Sequence, residues 1–512
     1  MVFISLLFMI ETVIIIELRC IYSKPVYRNN DEKFRNIAVT SDYVYIGGNS
    51  KILQLNSSLI QSDQKYVSVD GVTSIYSENW LLATHNNDSL IVCNFNSNND
   101  ILCLKFEKDL SVVTYDRSLK SNKPAPKYLT TTAKQTNILI IGSSTCLWHD
   151  IKYSKCNAIS SYSLDNFLVR FQPGRREYDV EYLQNAKHVT FRAILKIEKF
   201  IYFLFNTEER HSKLGKMCTS NTESEFTVSN VNSFEDTPIV CSRDGKIYTM
   251  AQDAVHWKEY LFVVFSDDSS NVICKYKLRN IAKTFMESRQ KRLECPYYNT
   301  ANTYFVKQAL TDWCFNRTTG QCQGNSLNIS CPETTDKTDG FCKTQFFGSV
   351  EGALPSTEDE IVYSEEILQV GAIVKLGVLG FNTHSLIFAG TTTGKIGKIY
   401  VDERKNEQLG IFQIVQHSFP VLDIKVHNQN VYVMTENTVI NIADNEPCPS
   451  NVLCFECMKS ENPTCGWDIV SARCMVNADH TTWWLPSVGR QCLQVKAKKL
   501  VINETTDNVR TS

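Results

Sequence analysis

Tyr43-Val44-Tyr45-Ile46-Gly47-Gly48-Asn49, followed closely by Ile52-Leu53-Gln54-Leu55, is an apolar and aromatic run, a Gly/Asn turn and a second run. Short runs of this composition bounded by turn residues read as strands, and two in succession as a β-hairpin. The unit recurs at Trp80–Thr84 into Leu90–Cys93, at Ile138–Ser144, and at Phe200–Phe205. It returns at Tyr260–Phe265 into Val272–Tyr276, at Leu386–Gly390 into Ile396–Tyr400, and at Val431–Met434 into Val439–Ile442. Most starts lie about 40 to 60 residues apart, close to the length of one four-stranded propeller blade. The fifth gap, from Tyr260 to Leu386, is roughly twice that. The spacing predicts an all-β protein, a seven-bladed β-propeller with one blade-sized insertion. A stack of sandwich domains would space strands evenly but would not leave a single oversized gap.

Composition agrees. The 512 residues are 43% hydrophobic and 21% charged, which is ordinary for a globular chain and excludes a disordered or collagen-like one. Aromatic residues at 11% and abundant Val, Ile and Tyr favour strands. With 53 basic against 55 acidic residues, the balance argues against a general electrostatic grip on nucleic acid.

The 19 cysteines carry the next inference. Val2–Ile16 is apolar except for Glu11 and ends in a short polar boundary, so residues 1–23 read as a secretory signal peptide; the apolar run of about fifteen residues is short of the roughly 20 that span a membrane. Cleavage between Cys20 and Ser23 removes Cys20 and leaves an even number of cysteines, as an oxidised secreted protein requires. Five Asn-x-Ser/Thr sequons, at Asn56, Asn87, Asn316, Asn328 and Asn503, fit an extracellular glycoprotein. The insertion, residues 282–350, opens with an amphipathic pattern from Ile281 to Lys291 marked by Ile281, Phe285 and Met286. It continues through a Thr/Asn/Gly-rich stretch that buries little core, so disulfides must staple it. Cys448 to Cys492 then packs six cysteines into a small separate module, residues 447–493. Residues 494–512 read as a polar tail or linker.

That module reads Cys448-x5-Cys454-x2-Cys457-x7-Cys465-Gly466-Trp467-Asp468-x5-Cys474, then Cys492. It resembles the PSI domain shared by plexins, semaphorins and integrins, and a propeller ahead of a PSI domain resembles the sema domain, here residues 28–446. Several segments are similar to plexins in particular: Phe34–Val39, Thr237–Cys241 with Tyr248–Ala254, and Leu261–Asp267 with Ile273-Cys274. His384–Thr391 with Gly394-Lys395, and Pro420–Asp423 with Val431–Met434, complete the set.

The resemblance implies disulfides Cys93–Cys103, Cys146–Cys156, Cys218–Cys342, Cys241–Cys274 and Cys295–Cys314. In the small module it implies Cys448–Cys465, Cys454–Cys492 and Cys457–Cys474, which leaves Cys322 and Cys331 to pair with each other. A cysteine usual in plexin PSI domains is replaced by Asp468 and its downstream partner is missing too. Cys-Gly-Trp-Asp is also how semaphorin PSI domains often read. The stretch from Cys156 to Phe200 is shorter than is usual in sema domains, so trimmed second and third blades are expected. Further PSI and immunoglobulin-like repeats, a membrane span and a cytoplasmic GTPase-activating region, all plexin features, do not follow. The expectation is a protein that binds without signalling across a membrane.

Enzyme signatures are weak. The nine histidines include no His-Glu-x-x-His pair, and no Gly-x-Ser-x-Gly elbow occurs. Gly390-Thr-Thr-Thr-Gly394-Lys395 is one residue short of a phosphate loop and reads as a hairpin turn. Ser242-Arg243-Asp244-Gly245 lacks a residue of the sialidase box. Cys454-x2-Cys457 with Cys465 and Cys474 has zinc-like spacing, but an oxidising compartment favours disulfides. Neither a catalytic residue, a metal nor a cofactor is expected. Arg289-Gln290-Lys291-Arg292 matches a secretory convertase site at Arg289, Lys291 and Arg292, in a loop-rich region where cleavage would be tolerated; the alternative is the solvated basic end of a helix. Trp80, Trp148, Trp257 and Trp313 suit either interface hot spots or core packing.

The resulting reading is an extracellular protein-recognition module, secreted or on the outer side of the plasma membrane. The resemblance implies a semaphorin as partner, bound by a receptor-type ectodomain or soluble decoy in cell–cell guidance, with no small-molecule substrate. The alternative is a secreted semaphorin-like ligand that binds a plexin, and a remote third is a propeller hydrolase. A monomer would fit the receptor and a homodimer the ligand.

Overall fold

The computed structural model describes residues 26–66, 78–85, 89–95, 100–121, 127–133, 136–148, 157–164, 169–170, 180–181, 189–218, 234–267, 269–293, 305, 313–316, 321–324, 350–352, 354–366, 371–382, 384–402, 406–413, 419–442, 448, 452–454, 457, 465–468, 472–476 and 484–486. Its strands form seven antiparallel blades. From axis to rim, blade 1 is Asn36–Val39, Tyr43–Gly47, Lys51–Asn56 and Gln61–Tyr66. Blade 2 is Glu78–His85, Ser89–Phe95, Asp100–Glu107 and Val112–Ser121. Blade 3 is Lys127–Ala133, Thr136–Trp148 and Asn157–Ser163, edged by the two-residue strands Val169–Arg170 and Val180–Glu181. Blade 4 is Thr190–Ile197, Phe200–Asn206, Ser212–Cys218 and Glu235–Pro238.

Blade 5 is Ala251–Trp257, Tyr260–Ser266, Ser270–Lys277 and Glu360–Glu366. Blade 6 is Ile373–Gly380, His384–Thr391, Lys395–Asp402 and Asn406–Gln413. Blade 7 is Asp423–His427, Asn430–Met434 and Thr438–Asn441, and its fourth strand is Val26–Arg28 from the opposite end of the chain. That strand begins ahead of residue 28, where the sequence reading opens the sema domain. Each inner strand contacts the next, and Asn36–Val39 contacts Asp423–His427, so the ring closes.

The apolar runs are continuous rather than alternating because both faces of a blade are buried. In Phe200–Asn206, Ile201, Phe203 and Phe205 pack toward blade 3, while Tyr202 and Leu204 pack toward blade 5. Seven apolar clusters follow, one in each gap between neighbouring blades. The gap between blades 6 and 7 is tight: a Cβ at Gly377 would lie 2.5 Å from Ile424 Cγ2. The seven hairpins of the sequence reading fall one to a blade. In blade 2 the hairpin is strands 1 and 2, whereas Tyr43–Leu55 forms strands 2 and 3 of blade 1. Blade 2 does not show the trimming expected of it, since its four strands run 8, 7, 8 and 10 residues; most of the stretch after Cys156 that bears on blade 3 lies outside the described residues. That blade's long second strand also pairs with the outer strand of blade 2, Leu147 opposite Ser121.

The insertion lies between the third and fourth strands of blade 5. It starts as the helix Leu278–Leu293, which begins three residues before the predicted Ile281. Among its described side chains Ile281, Phe285 and Ser288 are buried, and Met286 is only half-buried. The helix lies on blade 4, with Phe285 edge-on to Tyr202 at 6.4 Å. Farther on, Val350–Glu351 adds a fifth, parallel strand to blade 4, with Glu235 opposite Val350. The insertion thus covers the outer edge of one blade before completing the next. Trp313–Asn316 and Gln321–Gly324 pair as a short hairpin within it.

Beyond the propeller, Cys465–Asp468, Arg473–Val476 and Trp484–Pro486 form a three-stranded sheet, with Trp467 packed on Cys448, Cys457 and Cys474.

Candidate recognition surface

Between blades, polar side chains replace apolar ones where backbone groups need partners. Asn206 ends strand 2 of blade 4 and faces Ser212 across the ladder. Ser212 Oγ donates to Asn206 Oδ1 at 2.7 Å, Asn206 Nδ2 donates to the Ala251 carbonyl at 2.8 Å, and Ala251 N donates to Ser212 Oγ at 2.7 Å. Blade 5 grips blade 6 in the same way. Ser266 Oγ donates to Asn271 Oδ1 at 2.7 Å, Asn271 Nδ2 donates to the Gly371 carbonyl at 2.9 Å, and Ile373 N donates to Asn271 Oδ1 at 2.9 Å. These bonds fix the blades against one another and make the loops they carry a rigid platform.

Besides Val26, Tyr66 and Leu453, the exposed large apolar side chains among the described residues fall in two places. The first is where blades 1 and 2 turn into their outer strands. Asn56 Oδ1 accepts hydrogen bonds from Ser58 N and Ile60 N, and Asp109 Oδ1 accepts one from Ser111 N. Both turns close through a leucine in the left-handed region, Leu59 at φ 58° and Leu110 at φ 59°, and both leucine side chains are buried. A non-glycine residue there is strained, and burial of the side chain offsets the cost. Just past these turns Ile60 is 64% exposed and Val113 52% exposed, with Val112 beside it. Lys108 links the two blades. Its ammonium pairs with Asp42 and lies 5.7 Å from the Tyr43 ring, and its carbonyl accepts from Gln54 Nε2 at 2.7 Å and Tyr45 Oη at 3.1 Å. The hydrogen bond from Lys108 holds the Asp42 carboxyl below the usual range, and the same bond raises Lys108.

The second is the hairpin Cys241–Arg243 with Lys246–Tyr248, which carries the chain from blade 4 to blade 5. Its turn, Asp244-Gly245, has both residues at positive φ, so the supposed sialidase box is a tight turn. The disulfide Cys241–Cys274 ties the hairpin to blade 5, and Lys246 Nζ meets Asp267 at 2.6 Å. Ile247 stands 63% exposed near its tip. The Gly390–Lys395 stretch is likewise a hairpin turn, with Gly394 at φ +76° against the Phe419 carbonyl.

The other sequence candidates divide as follows. The structure contains Cys93–Cys103 and Cys457–Cys474 besides Cys241–Cys274, and Cys218, Cys448 and Cys454 are also disulfide-bonded. Cys457 and Cys474, two of the four zinc-spaced thiols, are thus joined to each other. Cys156, Cys295, Cys331, Cys342 and Cys492 lie outside the described residues, as do Asn87, Asn328 and Asn503. Cys146, Cys314, Cys322, Cys465 and Asn316 sit on strands. Arg289, Lys291 and Arg292 lie in the closing turns of the helix Leu278–Leu293. Trp80 is core between blades 2 and 3, and Trp257 stacks on Tyr260 at 6.5 Å. Among the described residues no group of three or more His, Cys, Asp or Glu is placed to hold a metal ion, and no helix is long and apolar enough to cross a membrane.

Residues 245–428 match the family model of the Sema domain, a family of recognition and signalling modules rather than of enzymes. Mouse Plexin-B2 is 28% identical over 333 residues, covering 60% of this chain and 17% of the relative. Mouse Plexin-A4 is 27% identical over 286 residues, covering 51% of this chain and 14% of the relative. A structure of the full extracellular region of Plexin A4 superposes with a TM-score of 0.66 at 18% identity, over 89% of this chain and 43% of that one. Drosophila Semaphorin 1b, extracellular domains 1-2, gives 0.58 at 13% identity, over 91% of this chain and 96% of that one. Drosophila Plexin A in complex with Semaphorin 1b gives 0.57 at 13% identity, over 91% and 96%. The aligned part spans only 14 to 17% of the length of the two mouse plexins.

Proposed function

We propose that this chain, which carries a plexin-like sema region, is the recognition end of an extracellular receptor or decoy whose propeller binds the propeller of a semaphorin. The observation that carries the reading is the pairing of plexin relatives at 27 and 28% identity with a seven-bladed ring. The named complex of Drosophila Plexin A with Semaphorin 1b supports the choice of partner class. The rigid rim suits such a role: Ile60, Val112 and Val113 beside the Lys108–Asp42 pair offer an apolar patch with a charged border, as protein interfaces do. Residues 447–493, read as a PSI module, would act as a stiff wedge below, and residues 1–23 would direct the chain to the secretory pathway. Glycans at the sequons and the remaining disulfides belong to the same reading.

A second reading has its own support. The chain covers 96% of the two-domain Semaphorin 1b structure, and Cys465-Gly466-Trp467-Asp468 is a semaphorin-like run, so a semaphorin-type ligand that dimerises and engages a plexin is the alternative. Light scattering of the secreted protein, alone and with soluble semaphorin and plexin ectodomains, decides. A monomer that forms a two-plus-two complex with a semaphorin supports the first reading. A stable dimer that captures only plexins overturns it. Ile60→Glu with Val113→Glu, compared with Ile247→Glu, then shows which exposed patch makes the contact.

A further inference from the structure

Charged side chains gather along the axial channel where the inner strands begin. Lys127 opens the inner strand of blade 3, and Arg192, Asp253 and Lys375 are each the third residue of the inner strands of blades 4, 5 and 6. Asp423 and Lys425 lie at the start of the inner strand of blade 7. Because every inner strand enters from the same side of the ring, all six collect at one mouth of the channel. Register shifts put extra residues into three of these strands, Arg192 itself between Phe191 and Ala193, and others before Asp253 and Lys375. Bulges of this kind re-aim side chains.

Four cations therefore face two carboxylates, and both carboxylates have partners. Asp423 Oδ2 pairs with Lys425 Nζ at 3.2 Å, and Asp253 Oδ2 accepts the backbone N–H of Leu376 at 3.0 Å. Lys127 and Lys375, three blades apart around the ring, are near enough for the charge of Lys375 to lower the pKa of Lys127. Arg192 Nε is buried and has no hydrogen-bond partner among the described residues. Two ammonium groups gathered at one mouth of the ring together with a buried, unpartnered guanidinium nitrogen make an arrangement that an anion would complete.

We propose that this mouth of the channel binds a small oxyanion, a sulfate or phosphate group, bridging Lys127 and Lys375 with Arg192 as the third donor. The site is independent of the semaphorin-binding reading and lies on the axis, away from the exposed patches of the rim. Without the anion, the charge of Lys375 and then burial bring Lys127 down to about 7, while burial of Lys375 is outweighed by Asp253 and Asp423, which keep it charged. Tyr128, buried and raised to about 12, stays neutral. Blades 1 and 2 add the neutral Asn36 and Asn79 at this end, and Glu78 is engaged by Arg35 at 3.7 Å. Binding then takes up a proton at Lys127. For sulfate, whose charge is constant over this range, affinity is expected to be about tenfold higher at pH 6 than at pH 8, the ratio of charged Lys127 at those two values.

The test is calorimetric titration of the full chain with inorganic sulfate and with inorganic phosphate at millimolar concentration. Ionic strength is matched with chloride, and the concentration kept below the range where sulfate stabilises proteins by exclusion. A sulfated disaccharide in a parallel arm distinguishes a free ion from an ester group on a larger ligand. Saturable binding of any of the three, reduced at least tenfold in Lys127→Met and Lys375→Met and, for sulfate and the sulfated disaccharide, weaker at pH 8, is the expected result. Lys127→Met removes the repulsion, so it should fold at least as stably as the parent in chloride and keeps a null result interpretable. Responses no larger than with chloride, or unchanged in both variants, overturn the proposal.

Discussion

Ser212 and Asn206 meet across strands 2 and 3 of blade 4 at 2.7 Å, and one blade later Ser266 and Asn271 make the same bond with the residue types exchanged between the strands. Either order leaves one amide to hold the next blade's entering backbone. Asn271→Ala removes the partner of Ser266 Oγ, Gly371 O and Ile373 N together, and should cost about 3 kcal/mol in chemical denaturation. In blade 4, Asn206→Ser and Ser212→Asn should each destabilise. The double exchange, which installs blade 5's order, should recover at least half of the summed loss.

His384 is fully buried, stacked 4.6 Å from Phe381 and 5.0 Å from Tyr400. Burial brings its pKa down to about 4, opposed by Asp402 and assisted by Lys258. The folded state therefore prefers the neutral ring. Its contribution is complete above the unfolded value of about 6.5 and is lost as pH falls toward 4, about 3 kcal/mol in all. Stability measured between pH 7 and pH 4 should fall accordingly, and His384→Phe should flatten that part of the profile.

Lys216 Nζ lies 2.8 Å from Glu235, directly opposite it in the ladder, and 4.7 Å from the rings of both Phe200 and Phe285. Removing one charge leaves the other buried, so Glu235→Gln should cost about 3 kcal/mol. Replacing both, Lys216→Met with Glu235→Leu, should be close to neutral, because methionine sulfur packs well on aromatic rings. A double-mutant cycle checks both statements.

Cys93 and Cys103 are ten residues apart, and Cys241 and Cys274 are 33 apart. Loop-closure entropy predicts that losing the second bridge costs about 1 kcal/mol more than losing the first. Paired Cys→Ala variants compared by thermal unfolding test this. The Cys241/Cys274 variant should also expose the Cys241–Tyr248 hairpin to proteolysis, as the bridge is one of its tethers.

The convertase motif ends a helix held by Ile281 and Phe285, whereas proteases of this kind cut extended chain. Cleavage after Arg292 in the intact protein should therefore be slow, and Phe285→Ala should speed it, as followed by electrophoresis after reduction.

The apolar hairpins were readable because each blade buries both faces, and burial on both sides writes an uninterrupted run of Val, Ile and Phe. The oversized gap likewise exposed the insertion. Less could be seen where a residue serves a neighbour distant in sequence. Nothing local marks Lys127 and Lys375 as sharing one mouth of the ring. The Ser/Asn grips are hidden because their order changes between blades. The turns at Leu59 and Leu110 carry leucine where turn chemistry leads one to look for glycine or asparagine, since packing overrides the backbone preference. In the helix, Ser288 rather than Met286 is buried, because its hydroxyl accepts the Leu354 N–H at 3.0 Å.

The joint between Val26–Arg28 and Thr438–Asn441 also sets a schedule. The ribosome makes one half of it roughly four hundred residues before the other, an interval of about 20 to 80 s at ordinary elongation rates. Throughout that time Val26–Arg28 has no mate, and the inner strand of blade 1 lacks its neighbour in blade 7. The nascent ring is an open arc with two adhesive ends, and it can circularise only once the last blade has emerged. A chaperone that shields the early end, or a pause late in translation, would therefore influence the yield of closed molecules.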